Sequence, residues 1–267
     1  MAKQVGLVKY SGTMGGVRHF KIKGLDGDFA GLAGGPTSEQ IYNDSAFERT
    51  RENMNEFGGC ANAGKSLRVA LSQIIKQFSD SRLTGRLTAI MKQINLEDQS
   101  EARGQRLIEI STQRKYLTGL NFNANLNLSS IFNAAYTLTH TVARDGATFT
   151  IPTFSPTTLI SAPAGATHFR LVNAIAVVTD WLYNPSTGKY EPTDAAINEL
   201  SDIKYSGYMD LNAVVPNITI TTALPGTPTI GTSASVINCI GIEFFQQVGS
   251  NYYLFSSGNA LRIEEVF

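Results

Sequence analysis

The sequence predicts an α+β protein: an N-terminal β-hairpin arm, a small antiparallel helical insert, and a C-terminal antiparallel β-sandwich with Ig-like or Greek-key connections. Three observations predict it. Apolar residues alternate around a glycine-rich turn in residues 5–23, recur at helical spacing from Thr37 to Asn95, and return to short alternating runs after residue 107. The expected divisions are therefore 1–36, 37–106 and 107–267.

In the arm, Val5, Leu7, Lys9 and Tyr10 lead into Ser11-Gly-Thr-Met-Gly-Gly16, after which Val17, His19 and Lys21 alternate with Arg18, Phe20 and Ile22. That pattern signals a hairpin. A lone hairpin is marginal in water, so this one must be laid on the sheet of its own chain, the commoner arrangement, or on a neighbour's edge. Gly24 to Pro36 reads as loop. Asp26 and Asp28 imitate the opening of a calcium loop, but the later glycine and distal glutamate are missing, which leaves a solvated turn as the expectation.

The insert carries four predicted helices. Thr37 or Ser38 caps the first; Asp44 or Ser45 caps the second, which runs through Phe47, Arg51, Met54 and Phe57 to a stop at Gly58-Gly59. The third places Ala63, Leu67, Ala70, Leu71, Ile74 and Phe78 on one face, and the fourth, capped by Asp80 or Ser81, carries Leu83, Leu87, Ile90, Met91 and Ile94. Asn95 to Arg106 follows as a charged connector.

Beyond it lies the stretch the chain is organised around, Ala166 to Tyr183, with the single tryptophan, Trp181. Its centre, Ala174 to Val178, is continuously apolar and rich in β-branched residues, which predicts a strand buried on both faces. His168, Arg170, Asn173 and Asp180 interrupt it, so it is no membrane span, which needs roughly twenty predominantly apolar residues. Leu117–Asn123 is strand-like, and Leu126–Tyr136 reads as short helix or loop. Arg144-Asp145-Gly146 joins the runs 137–142 and 147–151 as a hairpin. Strands are expected around 202–211 and 218–224, then a long hairpin from Val236 to Ser256 turning at Gly249-Ser-Asn251, and a closing strand from Leu261.

Formal charge is zero over 267 residues, but 17 Lys+Arg face 12 Asp+Glu in residues 1–119, and 5 face 10 in residues 120–267. The basic excess lacks a dense run interleaved with aromatics, so nucleic-acid binding is not expected. A basic front and an acidic back suit two copies meeting front to back. Cys60 and Cys239 are too far apart in sequence to form a ligand motif and are expected to be free thiols. The first ten residues lack the apolar run of a Sec signal. A virion or extracellular particle released by a non-Sec route is expected, otherwise a cytoplasmic protein.

Gly59-Cys-Ala-Asn-Ala-Gly64-Lys65-Ser66 matches the phosphate-loop pattern, in which backbone amides cradle phosphates, Lys65 holds the β/γ oxygens and Ser66 holds magnesium. The polar, helix-like Asn53-Met-Asn-Glu-Phe57 before it is not the buried strand such a loop leaves, and Asp180 is the lone mimic of its partner aspartate. His19, His140 and His168 are scattered without metal spacing. Gly231-Thr-Ser-Ala-Ser235 fails as a nucleophile elbow. Glu264 and Glu265 adjoin in a strand and should point to opposite faces. No catalytic, cofactor-binding or metal residues are assigned. Tyr252-Tyr253 and Phe244-Phe245 likewise divide between core and outside, leaving aromatics for a partner to cover.

Gly6-Leu-Val-Lys-Tyr-Ser-Gly-Thr-Met-Gly-Gly16, Phe47-Glu-Arg-Thr-Arg-Glu-Asn53 and Ala164-Gly-Ala-Thr-His-Phe-Arg-Leu-Val-Asn-Ala-Ile-Ala-Val-Val178 carry a resemblance. On these stretches the chain resembles an uncharacterised protein family of Bacteroidota bacteria and their phages. The resemblance implies a surface or particle component and no enzymatic activity.

The expected function is a non-enzymatic structural subunit that assembles front to back into a filament, tube or virion-like particle. The alternatives are a sandwich module that binds a glycan or host protein and, third, a nucleotide binder using Gly59–Ser66.

Overall fold

The computed structural model describes residues 1–32 and 34–267, an α+β protein with β-sandwich-like antiparallel sheets and a few helices. Its chain divides into two compact units, Met1–Arg51 and Glu52–Phe267. This division falls inside a helix, not at residue 36 or 106. Helices and sheet of the second unit share one apolar core, so the insert has no separate interior of its own.

In the first unit, β1 (Ala2–Gln4), β2 (Gly12–Met14), β3 (Val17–Lys21) and β4 (Asp28–Leu32) form an antiparallel sheet in the order β1-β4-β3-β2. The predicted hairpin is β2–β3. Its strands pair within this four-stranded sheet. β4 replaces the expected loop: its sequence, Asp-Phe-Ala-Gly-Leu, has weak strand propensity, but β1 and β3 bond it on both sides. Helix α1 (Ser38–Asn43) begins at a capping box. The Thr37 hydroxyl accepts from the Gln40 amide at 3.2 Å while the Gln40 side chain accepts from the Thr37 amide at 2.8 Å.

Helix α2 runs unbroken from Glu48 to Ala70, through the glycine pair expected to stop it. Neither Gly58 nor Gly59 takes a positive φ. Instead, Gly59 lets the helix lie against Tyr190, whose ring would stand 2.4 Å from a Cβ added there. The glycine serves contact, not termination. α3 (Ile75–Phe78) and α4 (Leu83–Glu97) follow. The 97–107 connector is fastened rather than loose: the buried Glu56 carboxylate accepts from the Gly104 amide at 2.8 Å and from Lys92, and Asp98 accepts from the Leu107 amide at 2.7 Å.

Residues 117–123, expected as a strand, follow a 3-10 turn at Arg114–Tyr116 and run beside the last strand through single bonds such as Phe122 to Leu261 at 2.9 Å. Leu117 and Phe122 still reach the core. The short helix α5 is Leu128–Ile131. The strands β5 (Thr137–His140) and β6 (Gly146–Ile151) flank the predicted Asp-Gly turn, and α6 spans Pro156–Leu159. The central stretch is β7 (His168–Thr179), buried on both faces over most of its length. It gives way at Asp180 to a separate ribbon, β8 (Trp181–Asn184) with β9 (Lys189–Pro192). Then come β10 (Ser201–Tyr205), β11 (Met209–Asp210), β12 (Ile218–Ala223), β13 (Ala234–Val248), β14 (Asn251–Leu254) and β15 (Ala260–Val266).

The six-stranded sheet runs β10-β7-β13-β14, with β11 beside β7 and β15 beside β13. Its two faces bury different layers. Val172, Ala174, Ala176 and Val178 of β7, with Ile237 and Cys239 of β13, meet Leu67, Leu71, Leu87 and Met91 of the helical segment. The alternate residues Phe169 and Leu171, with Ile240, Ile242 and Phe244, meet Phe149, Ile151 and Ile220 of the three-stranded sheet β12-β6-β5. That double cover is why β7 reads as a continuous apolar run rather than as an alternation. Each Val, Leu, Ile, Phe or Met side chain among them, fully removed from water, contributes about 1.5–3 kcal/mol.

Candidate functional site

The residues that suggested chemistry in the sequence are dispersed. His19 lies in β3; the His140 ring stacks on Phe267 at 4.3 Å; His168 Nδ1 sits 3.0 Å from the Thr167 hydroxyl. Among the described residues no group of three or more His, Cys, Asp or Glu is placed to hold a metal ion. Asp28 faces Lys9 at 3.3 Å and Lys21 at 3.8 Å, and not a calcium-loop geometry. Asp180 accepts from the Ser111 amide at 2.8 Å and from its hydroxyl. Cys60 and Cys239 are buried and free; burial pushes the Cys60 thiol up to about 12 and raises the Cys239 thiol as well.

Gly59–Ser66 is part of α2, which corrects the phosphate-loop reading. Its amides are spent along the helix, and Gly64 packs on Leu87. Ser66 accepts from the Asn198 amide at 3.1 Å, while Lys65 points to solvent. Glu264 and Glu265 sit where the β13–β15 register slips by one residue, so simple alternation fails there, and Glu264 accepts from Arg262 instead.

Two surfaces remain that the fold builds and leaves open. On the face shared with the helices, β7 continues two and four residues beyond Val172, to Arg170 and His168, past the helical layer. The β7–β13 register sets Glu243 opposite Arg170 and Phe245 opposite His168, and β14 adds Tyr252 and Leu254. Arg170 Nε donates to Glu243, and its guanidinium lies 3.9 Å from the Tyr205 ring centroid, 5.2 Å from Phe245 and 5.7 Å from Tyr208. Tyr208 stacks on Tyr252 at 4.1 Å and meets Phe245 edge-on at 4.9 Å; His168 meets Tyr252 edge-on at 5.0 Å. Glu243 is fully buried, and its Oε1 has no hydrogen-bond partner among the described residues. Burial raises its pKa, Arg170 opposing. Tyr208, by contrast, is 44% exposed, and Tyr205 and Leu254 are exposed to a similar degree.

The second surface is the N-terminal sheet. Met14, Val17 and Leu32 stand side by side across β2, β3 and β4, with Leu32 86% exposed. Val5, Leu7 and Val8 in the following loop are also exposed. On the other face Phe20 stacks on Phe29 at 6.4 Å under Arg18. Among the described residues of Met1–Arg51, no apolar side chain is buried.

The expectation that each aromatic pair leaves one ring outside holds for Tyr252-Tyr253, where Tyr253 is 57% exposed, but not for Phe244-Phe245, which are both buried; the Arg170–Glu243 pair, whose members are 73 residues apart, lies outside that pattern. Alternating positions 168/170 and 243/245 were the available signal. No family model matches the chain, and a search of curated proteins returned no match. Among the described residues no helix is long and apolar enough to cross a membrane.

Proposed function

We propose that the protein is a non-enzymatic structural subunit that assembles through copies of itself, front to back, into a filament, tube or virion-like particle. One observation carries the reading: a four-stranded sheet without a buried apolar side chain among its described residues. Sheets of so few strands need an apolar face packed on something, and exposed apolar patches of this kind mark interaction surfaces. Charge supports the same direction. The first unit carries 7 Lys+Arg against 5 Asp+Glu, the second 15 against 17, so unlike surfaces of two copies attract. Heterologous contacts of this sort close into rings or continue as helical polymers. A surface or particle component, as the resemblance to the Bacteroidota family implies, belongs to the same proposal. Replacing the exposed row by Met14→Glu/Leu32→Glu should abolish assembly in sedimentation velocity without altering far-UV circular dichroism. Unchanged assembly would refute it.

A second reading, a module that binds a glycan or host protein, draws on the exposed Tyr205 and Tyr208. A glycan array probed with the native protein tests it.

A further inference from the structure

We infer that the tyrosine platform formed by Tyr205, Tyr208, Tyr252 and Leu254 over the buried Phe245 is the surface that receives the N-terminal sheet of a second copy. The inference rests on the assembly reading above and names its acceptor. The helical layer covers only part of one face of the six-stranded sheet, and the platform is the uncovered remainder of that face.

Its chemistry matches the donor. The front offers aliphatic side chains, Val5, Leu7, Val8, Met14 and Leu32, among Lys3, Lys9, Arg18, Lys21 and Lys23, which outnumber Asp26 and Asp28. The platform offers ring faces, which bury apolar area and attract cations through their quadrupoles. It already does so within the chain, since the Arg170 guanidinium rests over Tyr205. Beneath lies the Glu243 carboxylate, one oxygen of which has no partner among the described residues, and Asp210, opposite His168, is exposed at the rim. Rings and arginine at the centre, without exposed lysine or glutamate among them, are the composition of binding hot spots. Donor and acceptor are different surfaces of the chain, so each copy keeps one free after binding through the other, and growth continues.

Complementation tests this. The platform variant Tyr208→Ser/Tyr252→Ser and the front variant Met14→Glu/Leu32→Glu are made separately in the full chain. Circular dichroism checks their folds; if the platform variant misfolds, Leu254→Asp replaces it. Each variant alone should sediment as a monomer, with the half-assembly concentration raised at least tenfold over wild type. Their equimolar mixture should form a dimer and nothing larger, because the pair's one intact front and one intact platform are consumed in their contact and only the altered surfaces remain free. A monomeric front variant beside a platform variant that assembles like wild type would overturn the platform assignment and leave the assembly reading standing. A front variant that still assembles would overturn the reading itself. Saturable glycan binding lost in the platform variant, with assembly intact, would assign the platform to a sugar instead.

Discussion

Asn238 donates a 2.7 Å hydrogen bond to the side chain of Asn173, which in turn donates to the carbonyls of Ala147 at 3.2 Å and Ile220 at 3.0 Å. Both asparagines are fully buried. The two large sheets are thus joined through their apolar interface by a polar stitch in which Thr222 also takes part, donating to Ala147 at 3.0 Å. A buried network of this kind fixes which residues face one another, because any slip strands its members without partners.

Asn173→Ala should therefore destabilise by about 2 kcal/mol, chiefly by removing the acceptor of one Asn238 N–H and the side-chain donor to the Ala147 and Ile220 carbonyls, although Thr222 still donates to Ala147 and Asn238 to the Ala174 carbonyl. Urea unfolding followed by tryptophan fluorescence measures it. A loss near zero would mean the stitch contributes nothing beyond packing.

Arg170→Met should cost more, about 3–5 kcal/mol at neutral pH, since it leaves a buried carboxylate without its counter-charge. The pH dependence has a definite sign. Burial raises the folded-state pKa of Glu243 above its ordinary value, so the folded protein holds that proton more tightly than the unfolded chain. The stability this supplies is complete below the ordinary glutamate pKa and is lost as pH rises through the raised one. Wild type should consequently lose ground relative to Glu243→Gln between pH 4 and pH 7, and the penalty of Arg170→Met should be smaller at pH 4. A stability difference between wild type and Glu243→Gln that is flat across this range would contradict the assignment.

Cys60 and Cys239 should resist thiol reagents in the native protein and react in denaturant, because burial raises both thiol pKa values and little thiolate forms at neutral pH. Titration with a chromophoric disulfide at pH 8 should count no reactive thiols before unfolding and two after. Fast native reaction at Cys60 would show that α2 opens.

Much of the β architecture was legible because its signals are local. The Asp145-Gly146 turn, the long β13–β14 hairpin and the apolar run of β7 each declare themselves within a dozen residues. What escaped was set by distant partners. Gly58-Gly59 reads as a helix stop until Tyr190, far along the chain, supplies the ring that makes Gly59 a contact. β4 reads as loop until β1 and β3 bond it. The same limit hid the candidate surface: Arg170, Tyr205, Glu243 and Tyr252 are remote in sequence, and only the β7–β13 register and the folding back of β10 and β14 bring them together.

The most direct measurement is sedimentation velocity of the unaltered chain over a hundredfold range of concentration at low salt. Assembly through an uncovered basic and apolar front predicts species that grow with concentration and shrink as salt screens the charges. A single monomeric boundary at every concentration and salt would contradict it.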